Sequence, residues 1–350
     1  MEQLTIAGIP VGEGYPTFLI VEIGQAHDGS LGTAHAYIDA VSKTGANAIK
    51  FQTHFADQES TLDEPFRVKF SHQDKTRYDY WKRMEFTYKQ WDELADHARE
   101  KGLIFLSSAF SMKAFEVLEK IGMPAWKVGS GEFRSKGLLK VMGETSKPII
   151  YSTGMASFAE IENTVAWFSS HHYSFALLQC TTKYPTSFNE VGINVMDEFR
   201  QKFHCPVGLS DHSGSIYPTL FGMAKGAHLI EVHATFDREL FGPDIKASLT
   251  MEEIKLLTEA RDAFHLMNTH PVDKDEMAKE LYDVRTMFTK SIALSCDLKT
   301  GMVLTEAMII EKKPGTGIPL SEKGRLIGRR LKRDVRADHL LRWEDIETDE

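Results

Sequence analysis

The stretch PIIYSTGMASFAEIENTVAWFSSHHYSFALLQ (148–179) decides the fold. It opens with a short apolar run, PIIYS, breaks at the small polar turn Ser152-Thr153-Gly154, and then changes period. Ile161, Thr164, Val165 and Phe168 fall at i, i+3, i+4 and i+7, which gives a helix one apolar stripe. Ser157 with Glu160 supplies the capping box that starts such a helix. A second apolar run, FALLQ (175–179), follows. Continuous apolar runs of this length suit parallel strands covered by helices, so the stretch reads as one strand–helix–strand unit.

The same unit recurs along the chain. Further apolar runs stand at 18–22 (FLIVE), 48–52 (AIKFQ), 103–107 (LIFLS), 125–128 (AWKV), 206–210 (PVGLS) and 229–233 (LIEVH). Between them Ala34, Tyr37, Ile38 and Val41 repeat the helical spacing, as do Trp91, Leu94, Ala95 and Ala98, and Ala114, Val117, Leu118 and Ile121. Thr87 with Gln90 and Thr250 with Glu253 add capping boxes. Gly45, Gly102 and Gly122 stand where helices should stop, since glycine accepts the left-handed turn. Eight strand–helix alternations favour a closed (β/α)8 TIM barrel over an open doubly wound sheet. No GxGxxG opens the first helix, so a dinucleotide fold has no direct support.

After the second run the chain spends residues 53–87 on a charged, aromatic-rich excursion before its next helix, a length typical of lids. The barrel is expected over 1–267, a polar connector over 268–289 and a small mixed β-rich domain over 290–350. Within the last, SIALS, MIIEK and the turn region KPGTGIPL read as strand pieces and a loop. The basic stretch GRRLKRDVR (328–336) reads as a solvated helix face, with phosphate binding as the alternative.

Composition narrows the function. The chain has 350 residues, 42% hydrophobic and 26% charged, with a formal net charge of −9. That charge argues against non-specific nucleic-acid binding, which needs Lys and Arg on phosphates. Cys180, Cys205 and Cys296 are too few and too scattered for a disulfide framework or a zinc knuckle, and read as reduced packing thiols. No basic n-region precedes an apolar one at the start, and no run approaches a membrane span; a cytoplasmic protein is expected.

Barrel enzymes place their chemistry where strands end, and here those ends are polar. Glu22 closes the first run; Lys50 and Gln52 alternate on the second and so share a side. Ser107 and Ser108 end the third, and Lys127, Ser130 and Glu132 follow the fourth. Ser152 and Thr153, then Thr181, Thr182 and Tyr184, end the fifth and sixth; Ser210, Asp211 and His212 end the seventh; Glu231 and His233 alternate on the eighth. Lysines inside strands need negative partners. Either Lys50 and Lys127 pair with carboxylates such as Glu22 or Glu132, or they join Ser130, Ser152, Thr153 and Ser210 in a cradle for a phosphorylated or carboxylated substrate. His212 and His233, with Asp211 and Glu231 nearby, suit a catalytic metal with open positions: manganese, zinc or iron.

These residues carry a resemblance. IVEIGQAHDGS (20–30), KFQTH (50–54), WKVGSGE (126–132), STGM (152–155), YPT (184–186), GLSDHS (208–213) and FGPDIKASL (241–249) resemble the sialic acid synthase family, in order over nearly the whole chain. KKPGTGI (312–318) and GRLIGRRL (324–331) look like that family's antifreeze-like (SAF) domain. The resemblance implies condensation of phosphoenolpyruvate with an N-acylated amino sugar to a nonulosonic acid and phosphate. It implies that Lys50, Ser108, Lys127, Ser130, Ser152, Thr182 and Ser210 bind phosphoenolpyruvate. Glu22, Gln52, Tyr184, Asp244, Phe288 and Lys313 match sugar-handling positions, and Glu22 and Glu132 are the candidate catalytic carboxylates. His212 and His233 match the ligands of a divalent metal, manganese, with magnesium or cobalt as alternatives. A domain-swapped homodimer is also implied. Three positions depart from the family: Ser108 for threonine, Thr182 for asparagine, and Lys313 for an arginine whose planar fork lysine cannot offer. Two other classes stay open on the residues alone. One is a Schiff-base aldolase using Lys50 or Lys127, the other a non-catalytic sugar-binding barrel.

Overall fold

Eight parallel strands close on themselves: β1 (Phe18–Gly24), β2 (Ala48–Thr53), β3 (Ile104–Ala109), β4 (Trp126–Val128), β5 (Ile149–Ser152), β6 (Phe175–Cys180), β7 (Val207–Asp211) and β8 (Leu229–Ala234). Each pairs with the next, and β8 pairs back onto β1, from Leu229 opposite Phe18 to His233 opposite Glu22. The computed structural model describes residues 3–66 and 69–347. It forms two units, Met1–Thr269, which holds the barrel, and His270–Glu350.

Period-two alternation explains why apolar strands build this wall. Outward residues such as Val21, Phe51, Trp126 and Tyr151 join the helix stripes in one core. Inward residues, Phe18, Ile20, Ala48, Leu106, Ala125, Ile150, Ala176, Leu178 and Leu229, fill the barrel with a second. A hairpin of Leu4–Ile6 and Ile9–Val11 adds Leu4, Ile6 and Val11 to that filling, at the end where the strands begin.

The covering helices are α1 (Leu31–Val41), α2 (Tyr88–Glu100), α3 (Met112–Ile121), α4 (Lys136–Glu144), α5 (Phe158–Ser170), α6 (Ile193–Phe203), α7 (Ile216–Ala224) and α8 (Met251–Thr269). The stripes Ala34/Tyr37/Ile38/Val41 and Trp91/Leu94/Ala95/Ala98 are wholly buried, while Val117 on α3 and Thr164 on α5 are only partly so. The capping boxes at Thr87 and Ser157 form as expected, and Thr250 exchanges the same pair of bonds with Glu253. Gly122 ends α3 in the left-handed conformation at φ +87°.

Two expectations need correction. The 53–87 excursion is not free of helix: it contains Ala56–Glu59 and Arg77–Met84, the latter opened by a Thr76/Asp79 capping box. Neither is long enough to show the periodicity that reveals a helix in sequence. Residues 67 and 68 lie outside the described part. The basic stretch 328–336 is not a helix face either. Leu331 and Val335 stand four apart, which mimics helical spacing, but Leu331 bridges Ile346, Val335 bridges Leu298, and Arg330 bridges Val303.

In the second unit Lys274–Glu280 and Tyr282–Phe288 form helices across part of the expected connector. Strands Ser291–Leu294 and Ile309–Lys312 pair antiparallel over a core that includes Ile292, Leu294, Leu304, Leu326 and Leu341. Among the described residues, no helix is long and apolar enough to cross a membrane.

Candidate active site

Two residues beyond the inward filling, every barrel strand turns polar. Glu22 follows Ile20, Lys50 follows Ala48, Ser108 follows Leu106, and Lys127 follows Ala125. Ser152 follows Ile150, Cys180 follows Leu178, Ser210 follows Gly208, and Glu231 follows Leu229. None of the eight is more than 5% exposed. Charges buried this deeply persist only when paired.

The pairing is specific. Lys50 forms a direct ion pair with Glu22 and lies 3.7 Å from Glu231 Oε2. Lys127 Nζ lies 3.1 Å from Glu231 Oε1, so its partner is Glu231 rather than Glu132. Ser210 Oγ–H donates to the same Glu231 oxygen at 3.0 Å. Burial alone would push the Glu231 carboxyl up; the Lys127 and Lys50 ammonium groups outweigh it and hold it well below the usual carboxylate range. Burial pushes Lys50 below the usual lysine range, opposed by Glu231. Glu132 sits apart, half-buried in the turn Ser130–Glu132, where it accepts from the Ser135 hydroxyl.

Beside the lysines lies a cradle centred on Gly154. Its N–H donates to Ser130 Oγ at 3.1 Å, and Ser130 Oγ–H donates in turn to Cys180 Sγ at 3.4 Å. A Cβ on residue 154 would collide with Thr182 Oγ1 and stand 2.7 Å from Ser130 Oγ and 2.8 Å from Cys180 Sγ. Ser152 Oγ and Thr182 Oγ1 are buried without a hydrogen-bond partner. Buried hydroxyls are nearly always satisfied, so these two mark where a ligand's oxygens fit.

A second cluster surrounds Gly24, which adopts φ +53°. A Cβ there would stand 3.3 Å from Asp244 Oδ2, 3.5 Å from Gln52 Nε2 and 3.7 Å from Glu22 Oε1. The two histidines adjoin it: His212 and His233 are buried, their ring centroids 5.1 Å apart, and Asp244 Oδ2 lies 3.7 Å from His233 Nδ1. His212 Nδ1 faces Thr181 O at 3.1 Å and Nε2 faces the Tyr184 hydroxyl at 3.0 Å. A donor bond at Nδ1 leaves the Nε2 lone pair toward the site, the arrangement of a metal ligand with an outer partner. Burial holds His233 well below its ordinary pKa, hence neutral, as metal binding requires. Burial also presses His212 down, but the Cys180 thiol and the Thr181 carbonyl outweigh it and raise His212, which must shed its proton to bind an ion. The two imidazoles therefore fit a divalent ion. Among the described residues no cluster of three or more His, Cys, Asp or Glu could hold one, so the remaining positions would fall to water and substrate.

Phe288 and Lys313 belong to the second unit, where Lys313 Nζ stands 5.0 Å over the Phe288 ring. Sequence reasoning noted Glu231 but gave it no role, and took Cys180 for a packing thiol. Both belong to the polar layer, and the inward alternation through Leu229 and Leu178 was the available signal. It also overlooked His54, two residues beyond Gln52 and 5% exposed.

Fold and polar mouth define a β/α-barrel enzyme with its reactive groups at the carboxyl ends of the strands. The chain belongs to the NeuB family: the model of that family matches residues 37–271, and that of the SAF domain matches residues 289–347. The N,N'-diacetyllegionaminic acid synthase of Legionella pneumophila is 33% identical, over 97% of this chain and 97% of its own. That of Campylobacter jejuni is 32% identical, over 93% and 99%. Among solved structures, the N-acetylneuraminic acid synthetase of Leptospira borgpetersenii has a TM-score of 0.71 at 28% identity, covering 81% of this chain and 96% of its own. The chain is thus an enzyme of the NeuB type, and a non-catalytic barrel is set aside.

Proposed function

We propose that this enzyme condenses phosphoenolpyruvate with an N-acylated amino sugar, N-acetylmannosamine or a related diacetamido sugar, to give a nonulosonic acid and phosphate. The observation that carries this reading is the pair of buried lysines beside the Gly154 cradle, with two neighbouring histidines at the same mouth. Lys50, Lys127, Ser108, Ser130, Ser152, Thr182 and Ser210 bind phosphoenolpyruvate, the ammonium groups balancing its charge and the unpartnered hydroxyls of Ser152 and Thr182 meeting its oxygens. Gln52, Tyr184, Asp244 and Glu22 receive the sugar around Gly24. Phe288 and Lys313 serve the site of a second copy in a homodimer.

A divalent ion, manganese in our reading, held by His212 and His233 would supply Lewis acidity to the sugar's aldehyde oxygen. The methylene carbon of phosphoenolpyruvate attacks the aldehyde carbon. Water then adds at the former enol carbon, and phosphate leaves by C–O cleavage. Lys50, Lys127 and the hydroxyls of Ser152 and Thr182 stabilise the departing phosphate. Glu22 or Glu132 takes the water proton. Cys180, a buried thiol in no disulfide, accords with a reducing cytoplasm as the place of action.

The test is phosphate release from phosphoenolpyruvate and manganese across a panel of amino sugars. Release with at least one sugar, abolished by chelator and restored by manganese, is expected. Turnover undiminished in chelator rules out the metal, and no release with any sugar rules out the reaction. Activity confined to 6-deoxy diamino sugars would exclude N-acetylmannosamine as the acceptor.

A further inference from the structure

His54 lies just past the end of β2 in an enclosure of its own. Its imidazole stacks between Trp81, 4.0 Å away and tilted 19°, and Phe110, 4.3 Å away and tilted 10°. Its Nδ1 lies 2.9 Å from Glu59 Oε2 and its Nε2 3.3 Å from Gln52 Oε1; Nδ1 donates to the carboxylate, and Nε2 donates as well in the imidazolium that pairs with Glu59. Glu59 is fixed in its turn, since its other oxygen accepts from the Phe55 N–H at 2.6 Å. Gln25 Nε2 donates to the same Gln52 oxygen at 3.4 Å.

The consequence falls on Gln52. An amide has one acceptor end and one donor end, and its orientation follows from the groups around it. With two donors on its oxygen, the Gln52 side chain turns its NH2 the other way, toward the point at Gly24 where Asp244 Oδ2 and Glu22 Oε1 also converge. Were the amide reversed, its NH2 would oppose two donors and its oxygen two carboxylates.

We propose that His54, as an imidazolium paired with Glu59 and clamped between Trp81 and Phe110, is the positioning residue that presents Gln52 to the acceptor sugar as a hydrogen-bond donor. The clamp makes the helix Arg77–Met84, which carries Trp81, a determinant of sugar recognition. The ligand oxygen it selects is an acceptor without a proton, such as an acyl carbonyl, in preference to a group that must itself donate. This rests on the proposed condensation.

The experiment compares H54F, Q52A and the double variant with wild type, using phosphate release at saturating phosphoenolpyruvate and varied sugar, then the reverse. Phenylalanine retains the stack and removes both donors. H54F should raise the sugar KM about tenfold, one hydrogen bond of about 1.4 kcal/mol, and leave the phosphoenolpyruvate KM within about twofold. Because His54 acts through Gln52, H54F should add less than about twofold in the Q52A background. H54Q, which can still donate to Gln52, should restore the sugar KM to within about threefold of wild type, and it carries the comparison should H54F fail to fold. An unmoved sugar KM, equal rises in both KM values, or additive effects in the double variant would overturn the positioning role while wild-type turnover stands. Absence of wild-type turnover would instead overturn the condensation, and this role with it.

Discussion

Replacing Glu231 with glutamine removes one negative charge from between two buried lysines. Lys127 Nζ stands 3.1 Å from one of its oxygens and Lys50 Nζ 3.7 Å from the other. At an effective dielectric of about 20, those attractions are worth roughly 5 and 4 kcal/mol. Against them stands the several kcal/mol that burying a carboxylate costs, so the net loss of stability should be about 3–5 kcal/mol. Shape and the Ser210 hydrogen bond survive, because a glutamine oxygen can still accept from that hydroxyl. The variant also keeps both lysines, with Glu22 still paired to Lys50. A bound anion should therefore recover more stability in E231Q than in wild type. Urea unfolding with and without phosphoenolpyruvate, and again with inorganic phosphate, measures both effects. A loss under about 1 kcal/mol, or an anion effect no larger than in wild type, would show that Glu231 does not balance the lysines and would refute the reasoning.

Gly154→Ala places a methyl group against Thr182 Oγ1, Ser130 Oγ and Cys180 Sγ; the KM for phosphoenolpyruvate should rise by about a hundredfold at a stability cost of about 1–3 kcal/mol, read by initial rates and melting. Gly208→Ala drives a Cβ into Leu229 O and to 2.9 Å from Leu178 Cδ2 inside the barrel; the rigid backbone neighbour should make this cost more than about 3 kcal/mol, and wild-type urea stability would contradict it. His27, buried against Phe86 and accepting from the Gly29 N–H, is pushed down to about 3 by burial first and by His54 next. Its folded pKa lies below the unfolded one, so the unfolded chain takes up the proton first and stability falls as pH drops from about 6.5 toward 3, by up to about 4 kcal/mol. His27→Asn, which keeps an acceptor for Gly29, should flatten that part of the pH profile of the urea midpoint.

The sequence by itself determined the repeating unit, because strand and helix periods are local properties of the chain. The runs around Ile149–Ser152 and Phe175–Cys180, the stripes of α1 and α2, and the capping boxes at Thr87 and Ser157 were all legible there. So were the lysines and histidines, since a charge or imidazole two residues past an apolar strand position is conspicuous. Closure of the barrel decided the rest. Only when β8 pairs with β1 and β7 does Glu231 stand beside Ser210, and only across the barrel does it meet Lys127 and Lys50. Likewise, only the fold brings Trp81 and Phe110, on segments far apart in the chain, to the two faces of His54. Spacing along a chain reports which face a side chain takes. Which partner it finds there depends on strands distant in sequence, through distances and burial that local periodicity does not carry.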